Sequence, residues 1–112
     1  MDFSKKEALA RTGDGNLVAC AVRAKAARMY SEKSQEEVGR FAGVTKAAIN
    51  NVEKARSYPS RSLMMYFFRE HRIDFNFLIL GHFSQLPADV QNRLFDALVT
   101  VNSEWDREPN SN

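Results

Sequence analysis

Lys46, Ala47, Asn50, Asn51 and Lys54 fall on one side of a short helical segment, because Ile49 and Val52 point the other way at helical spacing. No acidic residue lies on that outward face. Ammonium and carboxamide groups donate to phosphate oxygens and to base-edge acceptors, and a carboxamide can also accept. Thr45 caps this segment. A second short helix precedes it, with Ser34 and Glu37 placed for a capping box and Val38 and Ala42 facing inward together. Gly43 supplies positive φ for a sharp turn, and Val44 gives the turn an apolar plug. Helix, turn and helix therefore present donors outward, and double-stranded DNA is the expected ligand. The bland alternative is a helical hairpin with a solvated outer face.

Elsewhere the residues offer no competing chemistry. His71 and His82 have no metal-ligand spacing with Cys20. No nucleophile–base–acid set, phosphate loop or paired carboxylate stands out, so no enzyme activity, cofactor or metal is expected. At 112 residues the chain is long enough for one core, and its 44% hydrophobic and 27% charged content is ordinary for a globular protein. The longest apolar runs, such as Leu63 to Phe68, cannot span a bilayer, and charged residues interrupt any N-terminal signal pattern. Cys20 stands alone and is expected to pack as a small apolar residue, with a reactive thiol as the alternative. A reducing cytoplasm, in association with the nucleoid, is the expected setting.

A net charge of +2 is modest for a nucleic-acid binder, but it is unevenly spread. Residues 1–60 carry +4, residues 61–86 carry +1 and residues 87–112 carry −3. The basic excess accompanies the helix-turn-helix and the acidic excess accompanies the tail, which suits one DNA-facing end and one repelled end.

SQEEVGRFAGVTKAAINNVEKARSYPS resembles the Cro/repressor-type helix-turn-helix family, the lambda-repressor-like domains also called XRE-type. The match rests on Ser34, Gln35, Gly43, Thr45, Val52, Glu53 and Pro59, and on RIDFNFLILG (Arg72 to Gly81), which looks like the family's fifth helix. It covers about residues 16–81. The resemblance implies an all-α, five-helix DNA-binding domain. It makes Lys46, Ala47 and Asn51 base-facing, with Asn50 beside them, and gives Gln35 a phosphate to clamp. It also implies an ion pair between Arg28 and Glu53. Arg40, Lys54, Arg56 and Arg61 are phosphate candidates, with plain surface charge as the alternative. Three residues depart from the pattern. Lys33 removes the apolar staple before the cap, Gly39 weakens its helix by roughly 0.5–1 kcal/mol, and Ala55 stands where a Gly is preferred. Phe41 faces outward, as a contact or beneath the N-terminal segment.

The elements that must position these residues follow from caps and spacing. Residues 1–15 form an N-terminal arm or a short helix with Ser4 and Glu7 as its capping box; a loosely ordered arm carrying Lys5, Lys6 and Arg11 toward phosphates is the favoured reading. Asn16 caps a helix to about Tyr30, followed by helices at about 35–42 and 46–54, a fourth from after Ser60 to about His71, and a fifth from Asp74 to near Gly81. The domain thus runs over 16–82. A C-terminal amphipathic helix (86–107) starts at Pro87 and carries Val90, Leu94, Ala97, Leu98, Val101 and Trp105 as one stripe, with Phe95 and Val99 to its side. One stripe covers the chain's own core, so the extra apolar strip predicts a homodimer held through Leu94, Leu98, Val101 and Trp105 or through Phe95 and Val99. The alternative is a helix that folds back and buries everything within one subunit. Residues 108–112 are expected to be disordered.

These observations predict a dimeric, sequence-specific repressor of a palindromic operator. One rival is an antitoxin-like regulator that also binds a partner protein through the C-terminal helix. Another is a protein-interaction module that has lost DNA binding.

Overall fold

The computed structural model describes residues 1–107, and the expected disordered tail lies outside them. Seven helices and no strand occur among the described residues: α1 (Phe3–Ala10), α2 (Leu17–Ser31), α3 (Gln35–Ala42), α4 (Lys46–Glu53), α5 (Arg61–His71), α6 (Phe75–Leu80) and α7 (Ala88–Arg107). The chain is all-α. None of these helices is long and apolar enough to cross a membrane.

Local chemistry explains most helix starts. Asn16, Ser34, Thr45, Ser60 and Asp74 each turn a side-chain oxygen onto the N–H three residues on. Glu37 completes the box by accepting from the Ser34 N–H at 2.9 Å, which holds its carboxyl below the usual range. Helix α1 differs from the expected form: its cap is Asp2, accepting from Lys5 N, and Ser4 lies inside the helix.

Helix α2 is the central pillar. Ala19, Ala21, Ala24, Ala26 and Ala27 are all buried, and such short side chains let neighbouring backbones approach closely. Helices α4, α6 and α7 pack against it. Cys20 is buried here as a free thiol, and that burial pushes its pKa up.

Arg23 is a core residue that sequence reasoning missed. It is fully buried, and its guanidinium donates to the carbonyls of Ala10 (2.7 Å), Ile79 (2.8 Å), Arg11 and Asp14. One side chain thereby ties the α1–α2 connection to the end of α6. Gly81 completes the joint: its φ is +74°, and a Cβ there would lie 2.5 Å from the Ala10 oxygen.

The expectation of a spare apolar strip on α7 is corrected. Leu94, Phe95, Leu98 and Val101 are buried within the chain, and Trp105 is half-buried against the same core. Phe95 is covered by Phe83 at 5.2 Å between ring centroids and by the Lys6 ammonium at 5.3 Å. The physical reason is α1, which lies along α7 instead of forming a loose arm. Lys6 donates to Gln91, and Arg11 donates to Asn102, whose amide in turn donates to Leu9 O. Those two cations are therefore spent inside the fold. Of the six residues expected at a dimer contact, only Val99 remains exposed, at 43%.

Candidate nucleic-acid interface

Helices α3 and α4 meet through a tight turn with three supports. Gly43 ends α3 in the left-handed region at φ 75°. The Val44 N–H returns to the Gly39 carbonyl at 3.0 Å. Gly39 itself comes so close to the turn that a Cβ would sit 2.7 Å from the Val44 oxygen. Gly39 is therefore a close-packing glycine, and the expectation that it merely weakens the helix is corrected. Thr45 Oγ1 then accepts from Ala48 N at 3.0 Å and opens α4.

Helix α4 buries Ile49, Val52 and Glu53 and leaves Lys46, Ala47, Ala48, Asn51 and Lys54 exposed, with Asn50 half-buried at the rim. Ala48 joins this face although sequence reasoning did not single it out. Its position beside Ala47 in the first turn was the available signal. Arg40, Arg56 and Arg61 are exposed as well, and so is Tyr58 in the α4–α5 connection.

The face is fixed from beneath by charge. Arg28 on α2 grips the Glu53 carboxylate with two bonds, Nε to Oε2 at 2.6 Å and Nη2 to Oε1 at 3.0 Å. The two side chains are 17% and 5% exposed. Arg28 also donates from Nη1 to the Lys33 carbonyl at 3.1 Å, which holds the chain entering α3. Gln35 departs from its expected role. Its carboxamide nitrogen points inward, donating to Glu53 Oε1 at 3.0 Å and Asn50 Oδ1 at 3.3 Å. With both hydrogens engaged, the donors left at this end of α3 are backbone N–H groups of its first turn.

Ion pairing is distributed unevenly. Lys25, Arg28, Arg72 and Arg93 have carboxylate partners within the fold. Among the described residues, Arg40, Lys46, Lys54, Arg56 and Arg61 have none within salt-bridge distance. Three of these four pairs have one member on α7.

The outer side of α3 carries Phe41, 59% exposed and stacked on Tyr66 of α5 at 6.4 Å. Lys33 and Arg40 flank its ring at 5.7 and 6.0 Å. Phe41 does not sit beneath the N-terminal segment, which packs on α7. Tyr66 in turn bonds His71 Nε2 at 3.1 Å. His71 packs edge-on against Tyr30, and burial together with the Lys33 and Arg93 cations holds its pKa below the usual histidine range. No protein-family model, curated protein or solved structure matches the chain.

Proposed function

We propose that this chain is a sequence-specific, double-stranded DNA-binding transcriptional regulator with a lambda-repressor-like arrangement of α2 to α6, acting as a repressor. The carrying observation is the outward face of α4, where exposed amide and ammonium groups stand without a carboxylate partner over a base locked by the Arg28–Glu53 pair. The N-terminal half of such a helix enters the major groove. There Lys46 donates to guanine O6 and N7, Asn51 pairs with adenine, and Ala47 meets a thymine methyl. Arg40, Lys54, Arg56 and Arg61 then hold phosphates and set register. Repression follows from occupying the site.

Two-fold dimerisation on a palindromic operator is part of this reading. The molecule measures 36 × 32 × 22 Å. A two-fold pair would have to set its two α4 helices about 34–36 Å apart, one turn of the duplex. In this reading the buried stripe of α7 is not the dimer surface. That burial speaks against the antitoxin-like alternative, in which α7 captures a partner protein through an apolar surface. Selection of bound sites from a random duplex pool tests the proposal, with affinity for the selected site then measured against salt. An enriched palindrome and a steep fall of affinity with salt are expected. No enrichment, or salt-independent binding, contradicts it.

A further inference from the structure

Glu53 is an ionised carboxylate flanked by Arg28, so any group that bonds it must donate. Its Oε1 lies 3.0 Å from the Gln35 carboxamide. The Gln35 atom facing it is therefore the NH2 group, not the oxygen. The same nitrogen lies 3.3 Å from the Asn50 carboxamide. With one hydrogen for each neighbour, the Asn50 atom facing Gln35 has to be an acceptor, which is Oδ1. Asn50 Nδ2 then occupies the other branch of the amide, and among the described residues no protein acceptor engages it. One buried charge dictates the polarity of an amide it does not touch.

We propose that the chain of bonds from Arg28 through Glu53 and Gln35 fixes Asn50 as a hydrogen-bond donor toward DNA, making it a specificity-determining residue that selects guanine over cytosine. This rests on the DNA-binding reading above. A free carboxamide presents oxygen or nitrogen with little preference, because a flip conserves its shape. Here a flip of Asn50 would set its NH2 against the NH2 of Gln35. Gln35 cannot flip in response, because its oxygen would then face the Glu53 carboxylate. The locked NH2 finds two acceptors on guanine, O6 and N7, and one each on adenine (N7) and thymine (O4) in the major groove. Cytosine, which offers an N4 donor there, leaves it unpaired. Arg28, Glu53 and Gln35 act as positioning residues, since none of them reaches the base in this scheme.

The test is duplex-pool selection with the wild type, Gln35→Ala and Asn50→Asp, with thermal unfolding of each variant measured in parallel. The wild type is expected to favour guanine over cytosine at one position by about tenfold or more. Gln35→Ala releases the amide, so preference at that position alone falls to about twofold or less while the others persist. Asn50→Asp replaces a donor with acceptors and turns the choice to cytosine. If Gln35→Ala does not fold, Asn50→Asp, on the rim of α4, still decides. A wild type that selects a defined site, with Gln35→Ala or Asn50→Asp keeping the same guanine preference, overturns the proposal. A wild type that selects no sequence overturns the DNA-binding reading and this inference with it.

Discussion

Replacing Arg28 with alanine should cost about 3 kcal/mol, because it strands a carboxylate that the fold has already taken out of water. Glu53 is 5% exposed and receives two guanidinium bonds, at 2.6 and 3.0 Å. Without Arg28 its remaining side-chain partner is the Gln35 amide at 3.0 Å. Breaking a buried pair costs about 3–5 kcal/mol, and the partial exposure of Arg28 places this site at the lower end. An unfolding entropy of about 2.1 cal/mol/K per residue makes each kcal/mol worth roughly 4 °C in a chain of this size, so Tm should drop by about 12 °C. The assay is thermal unfolding followed by helical circular dichroism on wild type, Arg28→Ala, and the double variant Arg28→Met with Glu53→Met. Removing both charges removes the stranded one, so the double variant should recover most of the loss. A Tm for Arg28→Ala within about 3 °C of wild type would refute the argument, since it would mean that water already solvates Glu53.

Three further outcomes follow from backbone and burial. Ala55 sits at φ 59°, a left-handed conformation costing an L-residue about 1–2 kcal/mol, so Ala55→Gly should stabilise by about 0.5–1 kcal/mol after its entropy loss, read as a higher urea midpoint. Gly81→Ala combines positive φ with a Cβ 2.5 Å from Ala10 O and 2.9 Å from Arg23 Nε, and should lose about 2–5 kcal/mol in the same assay. His71 has a folded pKa below its ordinary 6.5, so the unfolded chain takes up its proton first. Its contribution is complete above about 6.5 and is lost as pH falls through that value toward the folded pKa. Urea midpoints from pH 7.5 to 5 should show a fall that His71→Gln flattens; parallel curves would contradict it.

The α3 and α4 boundaries were legible because their determinants are local. Ser34, Glu37, Gly43 and Thr45 cap and turn the chain using atoms within a few residues, and the structure uses each in that way. The first and last helices were legible in outline only. Whether Phe95 forms a spare strip depends on Phe83 and on Lys6, 89 positions earlier, and no period within α7 reveals that cover. Arg23 was missed for the opposite reason. Its spacing from Cys20 and Ala27 places it inward, but no local pattern announces the four carbonyls that receive it, three from residues 10–14 and one from Ile79. In the candidate interface, the outward residues of α4 follow from Ile49 and Val52. The inward turn of the Gln35 amide does not, because it depends on Glu53 having been drawn against α2 by Arg28.

The central claim is that the outward face of α4 reads bases while the surrounding cations hold phosphates. It is tested most directly by the affinity of Asn51→Ala, measured beside Arg40→Ala, for the selected site and for a scrambled duplex of the same composition. Asn51→Ala should weaken the selected site by about 1–3 kcal/mol and leave scrambled DNA nearly unchanged, whereas Arg40→Ala should weaken both alike. Equal losses for Asn51→Ala on the two duplexes, or no loss on either, would contradict the account.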